Sequence, residues 1–437
     1  MKKIQFVVLI SLISFNCKKS NNQGNDQTII LPTINTIVIS SASSATAVSG
    51  GNITSDGGSS VTARGVCWKI SPHPIISDNH TTDGNGIGNF VSNITGLASS
   101  TTYYVRAYAT NRSGTDYGNE INFSTSNADI YVSGWESNGT KEVAKFWKNG
   151  IVTILTNGLN NARANSIYVD GSDVYVAGFE STGTGTGRIA KIWKNGIAIS
   201  LTNGSTNAEA WSVFVAGSDV YVAGDEATPP GKIVAKVWKN GVGTSLSSGV
   251  NNAEAVSVFV AGSDVYVAGY ELFGIPYKAE IWKNAVLTTL TSGATSAVAR
   301  GIFASGTDVF VSGTRYNGKK SVAWIWKNGT QTDLTNGAND AIAVSVFASG
   351  SNVYASGFES NGTRTVAKVW KNGVATPLTD GTNDALASSI YPLGSDIYAA
   401  GYEYNGAYPA AKFWKNGIAT SLTTGTTTAL ASSIFVK

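Results

Sequence analysis

From about residue 30 to the end, short apolar runs alternate with polar positions and are bounded by Gly, Asn, Asp and Ser. This period of two predicts strands rather than helices. From Ala128 onward one pattern recurs every 44 to 46 residues, with Trp-Lys-Asn at Trp147, Trp193, Trp238, Trp282, Trp326, Trp370 and Trp414. Asp-Val-Tyr-Val-Ala-Gly or a close variant starts at Asp129, Asp173, Asp219, Asp264, Asp308, Asn352 and Asp396. A Leu follows each Trp, from Leu155 to Leu422.

Each unit reads as four short strands: one like Ser257–Val260, one like Asp264–Gly269, a third ending on the Trp and a fourth ending on the Leu. Asn-Gly between the last two predicts a type I′ hairpin, both of whose central residues need positive φ; in one copy Ala285 replaces the Gly. Four strands per unit of this length predict a β-propeller. The array begins at a second strand, Asp129 to Val132, and ends at an orphan first strand, Ser433 to Val436. Pairing these two predicts seven blades over 128–437, closed by the C-terminal strand. An open solenoid would instead expose its edges.

Residues 30–126 lack this period. Runs at Ala45–Ile53, Val61–Ile70, Gly88–Ile94, Tyr103–Asn111 and Glu120–Ser124 predict an antiparallel sandwich, so the expected fold class is all-β throughout. Composition agrees: 42% of residues are apolar, 14% are charged and 49 are Gly. The net charge of +3 is spread thinly, with no basic run longer than Lys-Lys, which argues against nucleic acid as a partner. His73 and His80 share one loop with Asp78 and Asp83, but their spacing matches no metal-ligand pattern, and Pro72, Pro74 and Gly84 mark an ordinary loop. No metal and no cofactor is expected.

At the N-terminus Lys2 and Lys3 precede an apolar stretch, Ile4 to Phe15, too short to span a bilayer, and then Cys17. The layout resembles a bacterial lipoprotein signal, although Asn16 stands where that family carries a small residue. The resemblance implies a signal peptide over 1–16, lipidation of Cys17, a tether over 17–29 and attachment to the outer membrane of the cell envelope, on its periplasmic or outer side. The second cysteine, Cys67, is expected as a small apolar strand residue. Gly96-Leu97 followed by Thr102-Tyr103-Tyr104-Val105 resembles the late strands of fibronectin type III domains. That resemblance makes Tyr103 a tyrosine-corner residue. The Trp-Lys-Asn-Gly repeats resemble those of propeller lipoproteins of Bacteroidetes-type bacteria.

Candidate function lies where the repeats disagree. Before the first strands one position reads Arg163, Glu209, Glu254, Val298, Ile342, Leu386 and Leu430. Two residues on it reads Asn165, Trp211, Val256, Arg300, Val344, Ser388 and Ser432. Loops on the same face start at Trp135, Phe179, Asp225, Tyr270, Thr314, Phe358 and Tyr402, and also carry Arg315, Tyr316 and Tyr404. Aromatic rings beside polar groups suit a sugar. The candidate ligand residues are therefore Trp135, Arg163, Phe179, Glu209, Trp211, Glu254, Tyr270, Arg300, Arg315, Tyr316 and Tyr404.

A Glu recurs after that aromatic (Glu136, Glu180, Glu226, Glu271, Glu359, Glu403), opposite a Lys column at Lys145, Lys191, Lys236, Lys368 and Lys412. Contact between the columns is expected. Glu271 with Glu280 does not fit, and Arg315 with Trp324 is expected as a cation–π pair. With neither His nor Cys after residue 127, the propeller can build no Ser-His-Asp site. The chain is expected to be a monomeric, non-enzymatic binding or scaffold module. Carbohydrate is the preferred ligand and a protein the runner-up. Glycoside cleavage by Glu209 and Glu254 is the enzymatic alternative.

Overall fold

A computed structural model describes residues 28–183, 187–229, 231–272 and 276–437. The signal segment 1–16 and Cys17 lie outside the described residues. Every regular element among the described residues is a strand, and none is a helix long and apolar enough to cross a membrane. The chain divides into two compact units. One holds Ser49–Ser92 and Tyr104–Asn122 with the described residues before Ile39; the other holds Ile39–Val48, Asn93–Tyr103 and Phe123–Lys437.

Before the repeats, Thr33–Ala42, Ala47–Ser55 and Gly88–Ile94 form one sheet. Ala63–Lys69 and Thr102–Asn111 centre a second, flanked by Asn79–His80, Gly114–Tyr117 and Ile121–Ser124. Thr33–Ala42 and Gly114–Tyr117 escaped the sequence pattern. The Tyr103 hydroxyl accepts a 3.0 Å bond from the Ala98 amide, the upstream bond expected of it. Cys67 is buried, and burial pushes its thiol up to about 11.

The repeats form seven four-stranded antiparallel sheets among the described residues. They are numbered 1 to 7 from Ile130. In sheet 3 the strands are Ala208–Ala216, Asp219–Thr228, Lys232–Lys239 and Val242–Ser245. First strands are longer than the pattern implied, and fourth strands stop one residue before the Leu. Sheet 1 takes its first strand from the C-terminus. Ala429–Val436 pairs with Ile130–Ser137, and Asp129 and Lys437 exchange backbone bonds of 2.8 and 3.1 Å.

Rings from the first strands touch in one unbroken cycle: Tyr168, Phe214, Phe259, Phe303, Phe347, Tyr391, Phe435 and back to Tyr168. Their centroids lie 4.4 to 5.0 Å apart. The Trp of one sheet packs on the sheet before it. Trp193 of sheet 2 buries against Tyr131, Ala144 and Phe146 of sheet 1, and Trp147 of sheet 1 against Tyr398, Ala400 and Ala411 of sheet 7. These tryptophans are framework, as their recurrence implied.

The hairpin residues tie the turns together. All seven Asn residues of Trp-Lys-Asn have φ between 45° and 52°, and Ala285 sits at 63° where its counterparts are Gly. In each repeat the Asn amide donates 2.8 Å to the side chain opening the second strand, as Asn240 does to Asp219. The recurring Asp (Asn352 in one repeat) and Asn thus brace two neighbouring turns.

The Glu and Lys columns meet as expected, with Lys145–Glu136 and Lys412–Glu403 each at 2.6 Å and Lys191–Glu180, Lys236–Glu226 and Lys368–Glu359 also paired. The expected cation–π pair is corrected. Arg315 turns to Asp333 on the neighbouring fourth-strand position, with bonds of 3.1 and 2.5 Å, and Trp324 is fully buried against sheet 4. An ionised carboxylate within reach outcompetes a ring quadrupole for a guanidinium.

Candidate functional site

Every first strand carries a β-bulge at one place, between Ala164 and Ser166 in sheet 2, Ala210 and Ser212 in sheet 3, and so on through Ala431 and Ser433 in sheet 1. The bulged residues are Asn165, Trp211, Val256, Arg300, Val344, Ser388 and Ser432, one of the columns in which the repeats disagree. A bulge re-aims the side chain it carries. Here all seven line one axial opening of about 410 Å³, with Arg163, Leu386 and Leu430 beside them.

The Gly closing each Asp-Val-Tyr-Val-Ala-Gly motif makes the bulge possible. A Cβ on Gly224 would lie 2.1 Å from the Glu209 carbonyl oxygen, and the same conflict recurs at Gly269 with Glu254. A framework glycine therefore fixes how the variable residues are presented.

Sheets 2 to 4 hold the polar part. A second cavity of about 460 Å³ is lined by Arg188, Glu209, Trp211, Asp225 and Glu254, among others. Trp211 lines both cavities. Its indole Nε1 donates 2.7 Å to Asp225 Oδ2. Glu209, only 4% exposed, accepts from Asn165 Nδ2 at 3.0 Å and from Arg188 Nη1 at 2.6 Å. The Arg188 guanidinium lies over the Phe179 ring at 4.5 Å, and Arg163, bonded to Glu142 at 2.7 and 2.5 Å, lies over Trp135 at 4.8 Å. Glu254 and Tyr270 interact electrostatically.

Electrostatics separates the carboxyls. Burial pushes Asp225 up to about 8, with the charges of Glu254 and Glu209 adding to the shift and the Trp211 bond and Arg188 opposing it. Asp225 therefore holds its proton at neutral pH. Burial also raises Glu209, against the pull of Arg188, Asn165 and Arg163. Tyr270 is raised by burial and by Glu254.

Of the expected ligand residues, Arg163, Glu209, Trp211, Glu254 and Arg300 line these two cavities, and Tyr270 acts electrostatically on Glu254 and Arg300. Trp135 lines the axial opening under Arg163, while Phe179 is buried beneath Arg188 and offers no free face. Arg315, Tyr316 and Tyr404 do not join them. Arg315 follows Thr314 and so faces the opposite side of its sheet, and Tyr316 and Tyr404 are exposed ends of second strands, at 44% and 38%. Asp225, Arg188 and Glu142 were missed. Asp225 left a signal, as the one acid in a column of rings and Thr.

No protein-family model matches the chain, and no curated protein does. Solved structures that match it are β-propeller-like. A puromycin-hydrolyzing peptidase of Mycobacterium tuberculosis is 10% identical over 75% of this chain and 52% of its own, with a TM-score of 0.46. The chain thus spans about half the length of that peptidase. TolB from Acinetobacter baumannii is 9% identical over 75% of this chain and 76% of its own, TM-score 0.38. A thermostable family-43 glycoside hydrolase is 8% identical over 51% of this chain and 95% of its own, TM-score 0.32. The expectation of a chain without enzymatic activity is corrected here: the structures resembling it include a peptidase and a glycoside hydrolase, and the fold gives no ground for excluding catalysis.

Proposed function

We propose that residues 128–437 form a closed seven-bladed propeller that binds carbohydrate on its variable face, in a lipoprotein held at the cell envelope through Cys17. The ring reading rests on the paired terminal strands and the unbroken cycle from Tyr168 to Phe435. The fibronectin type III-like assignment of the preceding sandwich rests on the Tyr103 bond, and its role is that of a spacer.

The observation that carries the ligand reading is Trp211. A bulge turns its ring toward the axial opening, Asp225 fixes the ring edge at 2.7 Å, and buried Glu209 sits beside it. A fixed aromatic plane ringed by carboxyl and guanidinium groups matches the alternating C–H and hydroxyl faces of a pyranose. The test is a polysaccharide array probed with lipid-free protein and its Trp211→Ala variant. Binding that disappears in the variant supports the reading; an array with no binding at all, or binding indifferent to Trp211, removes it.

Asp225 favours a second reading, glycoside cleavage. A carboxyl protonated at neutral pH beside Glu254 provides a proton donor next to an acceptor. Release of reducing ends from the bound polymer, lost in Asp225→Asn with binding retained, would establish it.

A further inference from the structure

Three arginines border the variable face, and two of them are already engaged. Arg163 holds Glu142 through two bonds, and Arg188 holds Glu209. Arg300 differs. It is the bulged residue of sheet 5 and lines the axial opening, yet its Nε is sealed from water and has no hydrogen-bond partner. Glu254 and Tyr270 act on it electrostatically, but neither bonds its Nε.

A guanidinium stays charged under any ordinary condition, and desolvating it without a partner is costly. Burial works against the charge on Arg300, and Tyr270 and Glu254 offset that only in part. Arg300 is only partly buried, so an acceptor arriving through the opening would meet the accessible part of its guanidinium and offset the cost that the sealed Nε leaves. The planar fork of a guanidinium matches a carboxylate through paired, charge-assisted bonds.

The surroundings narrow the ligand. Val344, Leu386 and Leu430 give the opening an apolar wall, Ser388 and Ser432 put hydroxyl side chains at the same bulge position, and Trp211 stands on the far side. Apolar ring faces, hydroxyl partners and one cation waiting for an anion describe a sugar that bears an acid. Resting on the carbohydrate reading above, we propose that the axial opening is selective for uronate-containing polysaccharide, with Arg300 receiving the uronate carboxylate.

The experiment uses lipid-free protein and measures binding to polygalacturonate, alginate and hyaluronate, each beside its carboxyl-reduced counterpart, with dextran sulfate as a third arm. At least one uronate polymer should bind about tenfold or more tighter than its reduced form, the scale of hydrogen bonds to a charged group. Arg300→Gln should bring that polymer down to the reduced level, and Arg300→Lys should fall between because a single ammonium cannot form the fork. A melting temperature for Arg300→Gln at or above the parent value separates lost recognition from lost folding.

Equal binding of a uronate polymer and its reduced form, unaffected by Arg300→Gln, overturns the inference while leaving the carbohydrate reading intact. Dextran sulfate binding as tightly, with the same dependence on Arg300, overturns the carboxylate assignment in favour of a general anion site. If none of these polymers binds, reduced forms included, and the array is blank as well, both readings fall together.

Discussion

The indole of Trp211 donates a 2.7 Å hydrogen bond to a carboxyl, Asp225, that keeps its own proton at neutral pH. A carboxyl pushed up to about 8 by burial binds its proton in the folded state and releases it near its ordinary value when unfolded. Between about pH 4 and pH 8 the folded state therefore holds more protons, and stability must fall as pH rises across that window. Its contribution is complete below the unfolded value and is lost as pH climbs through the folded one. Asp225→Asn keeps the acceptor for Trp211 without the ionisation. Denaturant melts at pH 5 and pH 8 should show the parent losing more stability than the variant, with the variant the more stable at pH 8. Equal slopes would mean that Asp225 ionises normally.

Sheet 4 has an acid where five other sheets have a lysine. Glu280, 1% exposed, has one carboxyl oxygen without a partner, and burial with the charge of Glu271 pushes it up to about 7. The sign is that of Asp225, so its stabilising effect is lost as pH rises from the ordinary carboxylate range through about 7. Glu280→Lys restores the pairing seen at Lys145 and Glu136, with Lys278 nearby as the opposing charge. We expect a gain of about 1–3 kcal/mol at pH 8, the scale of an unsatisfied buried polar group being relieved. Thermal melts at pH 5 and pH 8 should show that gain shrinking at the lower pH; a variant less stable at both would exclude the account.

The repeat was legible because it is a matter of spacing. Trp-Lys-Asn-Gly and Asp-Val-Tyr-Val-Ala-Gly fix turns whose backbone geometry few other residues tolerate, so strand order and the paired termini followed from position alone. The columns Arg163, Glu209, Glu254 and Asn165, Trp211, Arg300 were legible as the places where the repeats disagree. Their local geometry was not. A bulge adds one residue without disturbing a period of 44 to 46 residues, so nothing in the pattern showed the bulge that carries Trp211 and Arg300. Arg188 was hidden for another reason: it comes from the third strand of sheet 2 yet reaches Glu209 of sheet 3, a contact that depends on how neighbouring sheets pack.

Gly224 ties framework to site. A methyl group there would meet the Glu209 carbonyl oxygen at 2.1 Å, so the strand bearing Glu209 and Trp211 would have to move. Gly224→Ala should cost about 1–3 kcal/mol, as overpacking does, and should abolish ligand binding even at a temperature where the protein is folded. The control is Gly241→Ala, at a turn with φ 82° and no neighbour within 4 Å of the added carbon. It should lose about 1 kcal/mol and keep binding. Binding unimpaired in folded Gly224→Ala would detach the bulge from the site.

Deletion of residues 431–437 removes most of the strand that completes sheet 1, and with it Phe435, which touches both Tyr168 and Tyr391. The cut opens the ring cycle and strips Ile130–Ser137 of its partner, so an edge strand replaces a paired one. A milder variant isolates the packing: Phe435 is only partly buried, so Phe435→Ala should cost about 2–3 kcal/mol, less than removal of a fully buried Phe. The deletion should cost more than the point variant, with a clearly lower melting temperature and concentration-dependent association through the exposed edge. A deletion variant that melts at the parent temperature would leave the C-terminal strand dispensable and the ring without its closure.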